Sequence, residues 1–168
     1  VIAHHVKATN YTDAKGSAFH TYRIITYQDE PKIDAAARRE VSKTVKPWAD
    51  LYRSLPINRP DGGITPDGKS YSYTPNDCSV GDVDGDGEYE LILKWDPSNA
   101  HDNSHNGYTG DVILDCYKLD GTQLWRINLG KNIRAGAHYT QFLVYDFDGD
   151  GKAELICKTS AGSLDGKG

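Results

Sequence analysis

Along its second half the chain sets apolar and polar side chains in short alternating runs. Residues 111–117 (DVILDCY) place apolar positions between polar ones, and residues 123–129 (QLWRINL) alternate again and stop at Gly130. Such period-two runs predict half-buried strands. The intervening LDGT carries an Asp-Gly pair, so the two runs predict a hairpin closed by a tight turn. Two shorter apolar runs, LILKW at 91–95 and LICKT at 155–159, are bounded by loops and too short for helices, and they also read as strands. Residues 140–145 (TQFLVY) lead into the second of them. Earlier, residues 18–27 read as a strand, residues 34–45 as a short helix and residues 61–68 (DGGITPDG) as a double turn. The expected class is all-β, with a β-rich N-terminal region over residues 1–75 and a strand-and-loop region over residues 76–168.

Each of the short apolar runs is preceded by a concentration of negative charge. The first stretch is GDVDGDGEYELILKW from Gly81, and the second is DFDGDGKAELICKT from Asp146. Carboxylates this close in a tight loop either raise a pKa or attract a cation. No lysine or arginine lies inside either loop core, although Lys152 sits at the end of the second. A hard cation with oxygen ligands is the natural partner, and calcium suits a flexible ring of carboxylates and carbonyls. The spacing is not that of an EF-hand, which needs a bidentate glutamate at loop position twelve. That position is Leu93 in one loop and Cys157 in the other, whereas the ninth is Glu90 or Glu154. The repeated motif is therefore D-x-D-G-D-G-x-x-E. Its expected ligands are the side chains of Asp82, Asp84, Asp86 and Glu90, with the carbonyl of Glu88. In the second loop they are Asp146, Asp148, Asp150 and Glu154, with the carbonyl of Lys152. Strand, acidic loop, strand, long loop and hairpin form one long repeat, which is the mark of a β-propeller blade.

The long loop, residues 96–110 (DPSNAHDNSHNGYTG), is polar and holds no core former. A loop of this length either serves a function, here further calcium ligands or sugar contacts, or is a solvated run of turn formers.

Composition narrows the function classes. The chain has 168 residues and a formal net charge of −5, which two bound divalent cations would bring close to neutral. Nothing in it makes a basic groove for nucleic acid, and no stretch approaches membrane-spanning length. It contains no methionine, which points to a processed or truncated chain, and its first residues show no secretory leader. Loops of low calcium affinity fill only where calcium is plentiful, which points outside the cytoplasm. Cys78, Cys116 and Cys157 form no CxxC pair and read as small residues of strand cores, with room for a single disulfide.

The stretches PDGGITPDGKSYSYTPNDCSVGDVDGDG, DVDGDGEYELILKWDPSN and GYTGDVILDCYKLDGTQLWRINLGKNIRAGAHYTQFLVYDFDGDGKAELICKT resemble the family-eleven rhamnogalacturonan lyases of pectin-degrading bacteria. The resemblance runs from about Pro60 to the end of the chain. It implies a secreted enzyme built as a calcium-stabilised eight-bladed β-propeller. Such an enzyme cleaves the rhamnose–galacturonic acid backbone of the pectic polysaccharide rhamnogalacturonan I by β-elimination. A propeller of that size needs several hundred residues, so the chain is expected to be a fragment whose partners include the remaining segments of the same enzyme. The other readings of the same loops are a non-catalytic calcium-binding propeller module that binds carbohydrate or protein, and a purely structural calcium repeat.

No catalytic base is assigned from the sequence. Lys94, Arg134, His138 and Lys158 are the cationic or titratable residues near the repeated strands. Asn99, Arg134 and His138 are the candidate substrate contacts, set against a bracing role for Arg134 as a donor to loop carbonyls. Lys94 and Lys158 stand at the same place after each glutamate and read as equivalent solvent-facing strand ends. Trp95, Trp125 and Tyr139 are candidates for stacking on sugar faces, although aromatics on strands are more often core.

Overall fold

The computed structural model describes residues 1–3, 6–26, 40–50, 52–136 and 140–167, and these contain no helix. The chain forms two compact units, Val1–Ser54 and Leu55–Gly168. In the first unit, β1 (Ile25–Thr26) pairs antiparallel with β2 (Glu40–Val41). An isolated bridge joins Tyr22 to Val45 through backbone bonds of 2.7 and 2.8 Å. Asp13 organises a turn by accepting from the Lys15 amide and the Tyr22 hydroxyl. Of the strand expected over residues 18–27, only the bridge at Tyr22 and β1 are extended pairs; Ala18 and Phe19 lie in a turn closed by the His20 amide on the Ser17 carbonyl, and residue 27 lies outside the described residues. Residues 34–39 of the expected helix lie outside the described residues, and Glu40–Val41 is extended instead.

The second unit carries the core. β3 (Gly63–Ile64) and β4 (Ser70–Tyr71) form a small hairpin, so the double turn expected over residues 61–68 is a single turn at its second half, closed by the Gly68 amide on the Thr65 carbonyl, with β3 in place of the first. β5 (Tyr73–Gly81), β6 (Glu90–Pro97), β7 (Ile113–Tyr117) and β8 (Gln123–Asn128) form a four-stranded antiparallel sheet in chain order. β9 (Phe142–Tyr145) and β10 (Glu154–Cys157) form a separate hairpin. The expected division near residue 75 falls inside β5, whereas the compact units part between Ser54 and Leu55.

Alternation puts successive side chains on opposite faces, and both faces of the central strands are covered. Tyr73, Leu93, Trp95, Ile113 and Tyr117 pack together on one side. Val112, Leu114, Leu129, Ile133 and Ala135 form the other cluster. Every residue of β7 is buried, so its polar position Asp115 faces inward rather than toward water. Each fully buried large apolar side chain contributes about 1.5–3 kcal/mol. β5 gave no strand signal because Pro75, Asn76 and Asp77 interrupt it. It is tolerated because β5 is an edge strand with an irregular register between Pro75 and Cys78.

The β7–β8 hairpin closes as its Asp-Gly signal predicts. The Lys118 amide donates to the Thr122 carbonyl at 2.8 Å, and Gly121 adopts φ +93°. The cysteines depart in part from a core reading. Cys116 is buried and Cys157 is partly buried, but Cys78 is exposed on the edge strand, and all are free thiols.

Candidate functional site

Both acidic loops are hairpin tips. The first joins β5 to β6, whose last paired residues are Gly81 and Glu90, and the second joins β9 to β10, where Tyr145 pairs with Glu154. The terminal glutamate is thus the first residue of the outgoing strand, which explains its place at the ninth loop position. From there it reaches back across the loop. Glu90 Oε2 accepts from the Val83 amide at 2.9 Å, and Glu154 Oε2 accepts from the Phe147 amide at 2.9 Å.

The remaining loop bonds repeat in the same register. Asp82 takes the Gly85 and Gly87 amides at 2.7 and 2.8 Å, and Asp146 takes the Gly149 and Gly151 amides at 2.7 and 2.9 Å. The third-position aspartates accept from the fifth-position amides, and the fifth-position aspartates from those of Glu88 and Lys152. Wrapping the backbone this tightly requires positive φ at Gly85 and Gly149, both +79°, which a side chain resists. One carboxylate oxygen each from Asp82, Asp84 and Asp86 gathers within 4.8 Å, as does one each from Asp146, Asp148 and Glu154. With no thiol or imidazole among them, these donor sets fit a hard cation.

The loops also touch. The Ala153 amide donates to the Asp82 carbonyl at 2.7 Å. A Cβ on Gly81 would lie 2.7 Å from Ala153 Cβ and Val144 Cγ1, and one on Gly85 would lie 3.0 Å from Lys152 Cε. They differ in one respect. Lys118 at the β7–β8 turn extends its ammonium to Asp84 Oδ2 at 2.5 Å and Asp86 Oδ2 at 3.1 Å, and Glu90 Oε1 lies 4.0 Å away. Hydrogen bonds to Asp84 and then Asp86 raise the Lys118 pKa. Sequence reasoning found no cation for this loop because Lys118 lies far along the chain. Strand register would have found it, since Leu91 pairs with Tyr117 and the next step sets Glu90 beside Lys118.

Two of the three candidate substrate contacts, Asn99 and Arg134, bond to the backbone of the long loop. Asn99 Oδ1 accepts from the Gly110 amide at 2.8 Å and so cinches the long loop. Arg134 donates to the carbonyls of His105 at 2.5 Å and Gly107 at 2.6 Å, which braces the same loop. His138 and Tyr139 lie outside the described residues. Lys94 is not a solvent-facing strand end. It is 2% exposed, and its ammonium meets Asp77 Oδ2 at 2.5 Å, whereas Lys158 is exposed. Beside them burial raises the Asp96 pKa, against the pull of Lys94 and with a smaller push from Asp77. Trp95 is fully buried and so is not a sugar platform; Trp125 packs against the second core cluster.

Sequence reading also missed a buried polar centre at Asp115. It accepts from Trp95 Nε1 at 2.7 Å, from the Tyr117 hydroxyl at 2.7 Å, and from Arg126 Nε and a terminal nitrogen at 2.7 and 2.6 Å.

Fold and loops together define an all-β protein whose hairpin tips gather carboxylate oxygens with a donor set that fits a hard cation. The family model for the C-terminal domain of rhamnogalacturonan lyase family 11 matches residues 52–168, and the chain belongs to that family. It is 61% identical over 163 residues to the rhamnogalacturonan endolyase YesW of Bacillus subtilis, covering 97% of this chain and 25% of YesW. Against the exolyase YesX of the same organism the identity is 56% over 162 residues, covering 96% of this chain and 26% of YesX. The crystal structure of YesW superposes with a TM-score of 0.83 over 97% of this chain and 27% of that one. The chain thus spans about a quarter of the length of the curated relatives it matches.

Proposed function

We propose that this chain is part of a secreted rhamnogalacturonan lyase that cleaves the rhamnose–galacturonic acid backbone of rhamnogalacturonan I by β-elimination. The observation that carries this reading is the 61% identity to a rhamnogalacturonan endolyase along nearly the whole chain. In the reaction a base removes the proton at C5 of the uronate and the 4-linked oxygen departs. No water adds, so the product keeps a C4–C5 double bond. A calcium ion held beside the uronate carboxylate would withdraw charge and so stabilise the developing enolate. The remaining segments of the enzyme complete the fold and, with it, the catalytic machinery.

Within this chain the two acidic loops are calcium sites that fix strand geometry. Support comes from their place at hairpin tips, where each cage pins the turn between two strands. The four-stranded antiparallel sheet, covered on both faces, has the form of one blade of a propeller, and we assign the parent fold as an eight-bladed one. The long loop, braced by Arg134 and closed through Asn99, presents a polar surface suited to sugar hydroxyls.

The test is the ultraviolet absorbance of unsaturated uronate released from rhamnogalacturonan by the full-length protein, with calcium and with chelator. A rise that requires calcium supports the assignment. An inert full-length protein that still binds calcium would replace it with the non-catalytic module.

A further inference from the structure

We propose that Lys118 is a tethered cation that competes with calcium for the first acidic loop, so that the two loops are unequal sites. The loop at residues 146–154 takes its ion directly, and the loop at residues 82–90 takes one only as the Lys118 ammonium leaves. The inference rests on the calcium reading of the loops.

The geometry is that of a competitor. The ammonium contacts Asp84 Oδ2 at 2.5 Å and Asp86 Oδ2 at 3.1 Å and stands 4.0 Å from Glu90 Oε1. These residues are three of the four expected side-chain ligands, and the fourth, Asp82, is held by backbone amides instead. A calcium ion needs oxygens at roughly 2.3–2.6 Å. An ammonium already at contact with the same carboxylates takes up that space, and two cations sharing it would repel.

Lys118 reaches this position through the fold. The pairing of Leu91 with Tyr117 sets it beside Glu90, and the turn bonds from Lys118 N to Thr122 O and from Gly121 N to Lys118 O fix its backbone. The second loop is built differently. Among the described residues no lysine or arginine forms an ion pair with Asp146, Asp148, Asp150 or Glu154. The nearby Lys152 lays its stem over Gly85 of the first loop.

The experiment is calcium titration calorimetry on this chain in two backgrounds. Asp146→Asn with Asp148→Asn isolates the first loop, and Asp82→Asn with Asp84→Asn isolates the second. Lys118→Met, with Lys118→Gln as a second variant in case methionine perturbs folding, is placed in each, and Lys131→Met controls for a general change of charge. Removing two partly exposed ion-pair contacts should tighten the first loop about tenfold and leave the second unchanged. Calcium binding at both loops with no tightening by either Lys118 variant, or with equal tightening by Lys131→Met, would overturn the role of Lys118 and leave the calcium reading standing. Absence of binding at both loops in every variant would overturn the calcium reading and this inference with it.

Discussion

Replacing Asp115 by alanine tests whether the core is organised by its buried carboxylate. Asp115 is fully buried and accepts four hydrogen bonds from Trp95, Tyr117 and Arg126. The substitution strands the indole N–H of Trp95 in the interior, at about 1–3 kcal/mol, while the Tyr117 hydroxyl loses one bond and keeps the amide and carbonyl of Asn58. It also leaves Arg126 without its fork partner. That loss is smaller than for a fully buried pair, because the guanidinium is about one-third exposed. The expected destabilisation is about 2–4 kcal/mol, a large share of the roughly 5–15 kcal/mol that holds a domain together. Urea unfolding followed by tryptophan fluorescence would read it, since Trp95 sits in the affected cluster. Arg126→Ala and the double variant complete a cycle, and the double variant should be more stable than the summed single losses by about 1–3 kcal/mol. A loss under about 1 kcal/mol for Asp115→Ala, or a coupling of zero, would refute the reasoning.

Three other outcomes follow from the same contacts. Asp84→Ala should lower thermal stability clearly in calcium and change it little in chelator, where it loses only its exposed pairing with Lys118 and the bond from the Asp86 amide; equal loss in both conditions would remove the metal assignment. Gly81→Ala should destabilise by about 1–3 kcal/mol, because its Cβ would sit 2.7 Å from Ala153 and Val144, and a neutral result in urea unfolding would show that the two hairpins move apart freely. Burial first, and then the Glu90 and Asp84 carboxylates, push the Cys116 thiol up to about 12 from its ordinary 9.0. Its contribution is therefore complete below pH 9 and is lost as pH rises toward 12, at up to about 1.4 kcal/mol per pH unit. Cys116→Ala should flatten the fall in stability between pH 9 and 10, and an unchanged slope in urea unfolding across that range would count against the burial argument.

The sequence by itself determined the acidic loops, their ninth-position glutamates, the strands that follow them and the Asp-Gly hairpin. Each of these rests on local chemistry: glycines that permit positive φ, carboxylates that bond amides a few residues away, and alternation that marks a strand. It also carried the family through long unbroken motifs. The tertiary structure alone decided what happens between distant segments. It made an edge strand of residues that include Pro75, because pairing with β6 offsets the poor local propensity. It buried Lys94, which repeats a position that is exposed at Lys158, because Asp77 and the Thr140 carbonyl come from elsewhere in the chain to meet it. It turned Asp115 inward by covering β7 on both faces, and it delivered Lys118 to the first loop through the pairing of β6 with β7. A local pattern cannot carry such contacts, because they depend on register and on which strands become neighbours, and both are set by the packing of the whole sheet.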